Sequence, residues 1–245
     1  MTTFFGLPDL DFVIYNGREL VGMVTGLTDE MSNATEDVTV ASNSVSLQKF
    51  VGIQDGSVQL SGFYDDDVYD ALQSAPSGVL MYALEGNTRG KHCACCEIAK
   101  PLAPKRSMEA RAFHKSDVNF AVMGSGGAAI EEALLVAALA ARTTAGTTDA
   151  TYVDLGATAA NGVRLFGGVT ALTLGGYTNA KLQLRHSADH VTFANVTDAV
   201  LTFTDEGALM AQVTSSVNRY LSIGWSYTGS GTGQSTTFAA AAVAI

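Results

Sequence analysis

Charge is what this sequence has least of. Only 16% of its 245 residues are Asp, Glu, Lys or Arg, against roughly a quarter in an ordinary globular domain. With 47% apolar residues the core is well supplied, so the missing surface charge points to a surface partly covered by further copies of the chain. The few charges are mostly of one sign, 24 acidic against 14 basic, net −10. That excludes a protein that grips DNA by neutralising phosphates, but suits an acidic wall along which nucleic acid slides. Long hydrophobic runs are also missing. The longest, Ala133 to Ala141, is nine residues, far short of the ~20 a membrane helix needs. Met1 to Asp9 lacks the basic start and apolar stretch of a secretory signal. The expectation is a chain made in the cytoplasm, without membrane contact.

Cysteine is scarce too. The three present fall within Lys91-His92-Cys93-Ala94-Cys95-Cys96, and an odd, clustered set excludes a disulfide framework. By residue type His92, Cys93, Cys95 and Cys96 are candidate metal ligands. Their spacing lacks the paired separation of structural zinc sites and the second ligand pair those sites need. In an extended strand Cys93 and Cys95 face one way and Cys96 the other. The residues read as small buried apolar thiols, with no metal and no cofactor.

What is there divides into two halves. Residues 1–148 carry 10 basic and 18 acidic side chains, residues 149–245 only 4 and 6. All four prolines (Pro8, Pro76, Pro101, Pro104) lie in the first half. Arg142 to Thr148 is small and polar, as linkers are, so a boundary is expected there: a domain over 1–148 and a second over 149–245. In the first, Asp11 to Tyr15 reads as a strand closed by the tight-turn pair Asn16-Gly17. Thr28 to Asp37 is polar without periodicity and is expected to be a long exposed loop. Val38 to Val51 returns to strand-like residues, Val58 to Tyr64 alternates at period two, and Gly78 to Leu84 and Asn119 to Met123 are further strands. Asp65-Asp66-Asp67 stands where carboxylates favour the start of a short helix, with Val68, Ala71 and Leu72 on its apolar side. Ala129 to Arg142 fits either a helix or a central strand. The second half offers strands at 162–166, 171–174, 181–185, 200–203, 219–225 and 236–245, the regular spacing of an antiparallel β-sandwich. The expected class is mostly β (all-β or α+β).

Charge order inside the first half is uneven. Residues 1–88 hold 2 basic and 13 acidic groups, whereas residues 89–115 hold seven basic groups against Glu97 and Glu109. The basic stretch is either a solvated loop or one side of a contact between copies. In the second reading Lys100, Lys105, Arg106 and Arg111 of one copy meet Asp29, Glu30, Glu36 and Asp37 of the next, and such heterologous pairing builds rings and stacks.

Catalytic patterns are absent. Gly124-Ser125-Gly126-Gly127 lacks the continuation of a phosphate loop and the spacing of a dinucleotide fingerprint, and Asp65-Asp66-Asp67 lacks the alternation of a calcium loop. Arg185-His186-Ser187-Ala188-Asp189-His190 contains the letters of a hydrolytic triad. In a strand His186 and Ser187 point to opposite faces, and Asp189 suits a turn. Trp225 reads as sandwich core. The chain is expected not to be an enzyme.

One resemblance spans nearly the whole chain. Leu47 to Asp65 (LQKFVGIQDGSVQLSGFYD) resembles the centre of long-tailed bacteriophage tail-tube proteins, in which a strand, a G-x-x-D-G turn and a strand ending L-x-G-x-Y/F-D lead into a brief helix. The later strand Asp117-Val118-Asn119-Phe120 and its glycine turn fit the same layout. Leu139 to Gly146, Val153 to Gly162, His186 to Asp189 with Phe193, and Val217 to Leu221 are similar to an accessory β domain of phage tail proteins. Lys91 to Arg106 departs from the pattern. The resemblance implies a major tail-tube protein of a siphovirus-type phage. Its first domain would be a β-barrel or sandwich with one short helix. It would form homo-hexameric rings stacked into a DNA conduit, with 28–37 bridging subunits and the second domain decorating the exterior. The implied partners are further copies of the chain, the tape measure, the tail terminator, the distal tail protein, and DNA passing without sequence-specific contact. The implied location is the virion tail, after assembly in the host cytoplasm. The alternative is a carbohydrate- or host-surface-binding β-sandwich. That reading requires exposed aromatics, for which the second half offers Tyr177, Tyr220, Trp225 and Tyr227.

Overall fold

The computed structural model describes residues 2–4, 10–20, 24–38, 48–63, 70, 72–102, 105–107, 115–124 and 128–245. The chain is almost entirely antiparallel β. In chain order the strands are β1 (Thr2–Phe4), β2 (Val13–Tyr15), β3 (Arg18–Glu19), β4 (Val24–Val38), β5 (Gln48–Phe63), β6 (Gly78–Ala83), β7 (His92–Pro101), β8 (Lys105–Ser107) and β9 (Lys115–Met123). They continue with β10 (Glu131–Arg142), β11 (Gly146–Thr147), β12 (Val153–Asp154), β13 (Val163–Thr173), β14 (Asn179–Ser187), β15 (Ala194–Phe203), β16 (Gly207–Val213), β17 (Tyr220–Thr228) and β18 (Ser235–Ala244). A 3-10 turn, Asp149–Thr151, precedes β12.

Two compact units share these strands by interleaving. One comprises residues 1–6, 23–77 and 96–130, the other residues 7–22, 78–95 and 131–245. Arg142 to Thr148, where the sequence suggests a boundary, lies inside the second unit and is pinned there. The Arg142 guanidinium lies 3.8 Å over the Phe238 ring and donates to Ala138 O and Phe238 O at 3.0 and 3.1 Å. The Trp225 indole N–H donates to Thr144 O at 2.6 Å.

In the first unit the strands run β1-β4-β5-β9, and β9 is flanked in turn by β8 and by the C-terminal end of β7. The expected loop at Thr28 to Asp37 is instead strand: β4 runs through to Val38, paired with β5 from Leu27↔Leu60 to Val38↔Gln48. Polar side chains hide a strand whose pairing is made by the backbone, which carries no sequence signature. Rows across the sheet alternate in character. Leu27, Leu60 and Val118 form one buried row, and Val58 and Phe120 are buried in the next row of the same face. Gln59 and Asn119 lie exposed between them. The short helix expected after Asp65-Asp66-Asp67 falls largely outside the described residues; Asp70, Leu72 and Gln73 are helical.

The second unit has three layers. One sheet runs β3-β2-β6-β7-β10-β18-β13-β16 and curls on itself, enclosing Phe12, Ile14, Met81, Cys93, Cys95, Leu135 and Phe166. The hairpin that opens it has Asn16 and Gly17 at φ 46° and 82°, the left-handed pair of a tight hairpin turn. A second sheet, β15-β14-β17 with β11 and β12 on its far edge, packs on the outer face of β10, β18 and β13. Between the two sheets lie Val163, Leu165, Val169, Leu182, Leu201, Ile223 and Phe238. The ambiguous segment 129–142 is therefore the central strand β10, not a helix. The expected strands at 162–166 and 171–174 are one continuous strand, β13, while β16 is an additional one.

Strands β13 and β18 are buried on both faces over 163–169 and 238–242, and small residues there make room for large neighbours. Phe238, Ala240 and Ala242 face the second sheet, while Ala239 and Ala241 face the curled interior. A Cβ at Gly167 would stand 2.6 Å from Leu201 Cδ1, and one at Gly168 2.9 Å from Ile14 Cγ2. The two glycines thus admit a large neighbour on each face. On the curled interior face the Arg164 guanidinium pairs with the Glu131 carboxylate, both buried. Arg164 Nε also donates to Gln212 Oε1 at 3.2 Å.

Gly168→Val is expected to lower unfolding free energy by about 1–3 kcal/mol through overpacking against Ile14, read from the urea midpoint. Arg164→Ala, which removes the guanidinium paired with the buried Glu131 carboxylate, is expected to cost about 3–5 kcal/mol. The double variant Arg164→Met/Glu131→Leu should recover most of that loss in the same titration.

Candidate functional site

The structure sorts the residues that sequence reasoning singled out. Cys93 and Cys95 lie side by side in the curled interior of the second unit, sulfurs 3.9 Å apart, as small apolar filler. Cys96 is buried as well. His92 Nδ1 lies 3.1 Å from Glu132 Oε1 on the neighbouring strand. Among the described residues no group of three His, Cys, Asp or Glu could hold a metal ion. The Arg185–His190 segment does not assemble a nucleophile and base. The Ser187 hydroxyl bonds to Asp189 Oδ1 at 2.7 Å, while His186 Nδ1 accepts the Asn218 N–H at 3.1 Å.

The charged residues of the first unit fall on opposite sides of its sheet. Glu30 pairs with Ser57, Ser57 with Ala121, and Ala121 with Lys100, so the four form one row on the polar face. Glu30 and Lys100 are both exposed. Three strand spacings separate them, about 14 Å, too far for an ion pair within the chain. Lys105 is exposed on β8, beside the same basic edge. Asp29 falls in the adjoining row with Val58 and Phe120 and is half-buried, so it faces the apolar side. Glu36 and Asp37 lie on β4, paired with Phe50 and Lys49, and Arg106 lies on β8. Arg111 lies outside the described residues.

The β4–β5 hairpin also outreaches its neighbours. β1 pairs with β4 only at residues 27–29, and β9 pairs with β5 only at residues 55–63. Among the described residues, 30–38 therefore pair only with β5 and 48–54 only with β4. A two-stranded ribbon is marginal by itself, and its two outer edges offer unpaired backbone groups.

In the second unit a cluster of rings that sequence reasoning missed sits at one end of the second sheet. Tyr152 stacks on His190 with centroids 5.4 Å apart, meets Tyr220 edge-on at 5.1 Å, and lies 6.2 Å from Phe193. Three aspartates tie down the segments that supply these rings. Asp149 takes a two-point pair from Arg185, 3.0 Å at each oxygen, and bonds Ser222. Asp154 takes a two-point pair from Arg219 at 2.6 and 2.7 Å and accepts the Gly156 N–H. Asp189 accepts the N–H groups of Val191 and Thr192 at 3.0 and 2.9 Å, the turn its residue type suggests. The Arg219 bond holds the Asp154 carboxyl down at about 2, and the Thr192 amide does the same for Asp189. Of the four aromatics named from the sequence as candidate glycan contacts only Tyr220 belongs to this cluster. Trp225 packs on Phe238, and Tyr177 and Tyr227 pack together 5.4 Å apart.

A groove of about 250 Å³ runs over the outer face of the second sheet, with Gly224 in its floor and Lys181, Gln183 and Arg185 along it. Gln183 and Arg185 serve the fold. Gln183 Nε2 bonds the carbonyls of Leu184, Val196 and Ala199, and Arg185 is held by Asp149 and Asn195. No described helix is long and apolar enough to cross a membrane.

No protein-family model and no curated protein sequence matches the chain. Among solved structures it is similar to the crystal structure of the SPP1 Dit (gp 19.1) protein, described as a paradigm of the hub adsorption apparatus in phages infecting Gram-positive bacteria. The likeness covers 95% of this chain and 98% of that one at 11% identity and a TM-score of 0.32. At that level it assigns neither family nor function.

Because both carboxyls are depressed in the folded state, the stability they contribute is complete above their ordinary value of 3.8 and is lost as pH falls toward about 2. Thermal melts between pH 4 and pH 2 should therefore drop steeply for the native chain. Asp189→Asn should give a shallower drop from a lower starting point.

Proposed function

We propose that this chain is a structural subunit of a bacteriophage tail that assembles with copies of itself into stacked rings, forming a tube through which DNA passes. The placement of charge in the first unit carries the reading. Glu30 on β4 and Lys100 on β7 share one row of the sheet, about 14 Å apart and unpaired with each other, and Lys105 on β8 lies beyond them opposite Asp117. Head-to-tail association needs two different complementary patches on one molecule, and these are two such patches. The overhanging β4–β5 ribbon supports the same reading, since a neighbour's strand would cover its free edges. The sequence resemblance of Leu47–Asp65 to tail-tube proteins adds the tube, the six-copy ring and the partners: tape measure, tail terminator and distal tail protein. In this role the protein resides in the virion, performs no catalysis and touches DNA without reading it.

Purified protein should form rings or tubes in negative-stain micrographs, and a strictly monomeric particle at high concentration would overturn the proposal. Lys100→Glu with Lys105→Glu should shorten or abolish tubes, as should raised salt, which screens contacts between exposed charges. Adding Glu30→Lys to the double variant should restore assembly in part.

A further inference from the structure

The ring cluster of the second unit has features that packing alone does not require. Its rings come from three separate segments: the turn before β12, the loop between β14 and β15, and the start of β17. An aspartate bonded to several groups immobilises each segment, so the cluster is built before any ligand arrives. His190 is held at φ +55°, in the left-handed region that residues other than glycine adopt uncommonly. Backbone strain of this kind persists where the surroundings enforce it and concentrates at functional positions. Here it turns the imidazole onto Tyr152 and leaves Val191 74% exposed beside it. Tyr152 is itself exposed, and the Arg219 guanidinium lies 5.2 Å from the centre of the Tyr220 ring.

The chemistry of the patch selects among ligands. Its cations are already matched: Arg219 by Asp154 and Arg185 by Asp149. A polyanion finds no free positive charge there, and a basic peptide finds Asp154 already paired with Arg219 and Asp189 with its oxygens occupied by its own loop. What remains is a set of aromatic surfaces rimmed by an exposed acid–guanidinium pair. That combination suits a neutral molecule with an apolar C–H face and a ring of hydroxyls. The geometry points to a saccharide-binding site at Tyr152, His190, Phe193 and Tyr220, with a pyranose ring lying against the aromatics and its hydroxyls reaching Asp154 and Arg219. The site stands independently of ring assembly, since all its residues belong to the second unit.

The full-length protein should be applied to a printed array of neutral and anionic bacterial polysaccharides, and retained glycans should then be titrated by calorimetry. Retention of neutral glycans, weakened roughly tenfold or more by Tyr152→Ala and by Tyr220→Ala, supports the site. Tyr177→Ala, at the opposite end of β14, should leave binding unchanged. His190→Gly removes the backbone strain along with the ring, so it should melt no lower than the native chain and still bind weakly. This keeps the test decisive if a tyrosine variant misfolds. Silence across the array, retention of anionic polymers only, or equal binding by His190→Gly would each overturn the assignment. Tube formation in micrographs reports on the assembly proposal alone, so the two can fail separately.

Discussion

The second unit depends on a pair of adjacent strands, β13 and β18, that are covered on both faces. A sheet lying between two others loses solvent on each side, so each of its side chains must find apolar company above or below. The two layers can close only if the middle one is thin. The alanine run 239–242 and the Gly167-Gly168 pair supply that thinness, and they let Ile14 approach from one side and Leu201 from the other. Burial on this scale also explains part of the shortage of charge, because three layers need more apolar positions than two. The buried ion pair of Arg164 with Glu131 is tolerable because each charge has its opposite within reach.

Much of the architecture is legible in the residues. Asn16-Gly17 announces its hairpin because few other pairs accept two left-handed residues in succession. The second-half strands announce themselves by apolar residues between turns, and Cys93 and Cys95, read as small buried thiols, lie in the curled interior. The errors have physical causes. Gly167-Gly168 resembles a turn in sequence, yet it lies mid-strand because close packing on both faces demands it. Residues 28–37 of β4 resemble a loop because their pairing rests on backbone groups and most of them are polar.

The candidate sites were less legible. The opposition of Glu30 and Lys100 depends on register, which joins residues 30, 57, 121 and 100 into one row. Charge counts along the chain hint at it but cannot place Asp29 on one face and Glu30 on the other. The ring cluster draws on residues 152, 190, 193 and 220, too scattered for any local pattern. The available signal was Asp189, whose turn-forming chemistry marks a tight loop, and Val153-Asp154 with Arg219, a pair visible only once β12 lies beside β17.

Interleaving the two units along the chain has a consequence for synthesis. Phe12 and Ile14 belong to the same interior as Ala239 and Ala241, more than two hundred residues later. At ribosomal speeds of roughly 5–20 residues per second, the early strands must wait on the order of ten seconds or longer for the partners that enclose them. Neither unit can be completed on the ribosome by the segment that begins it. The nascent chain therefore holds apolar surface open for most of its translation.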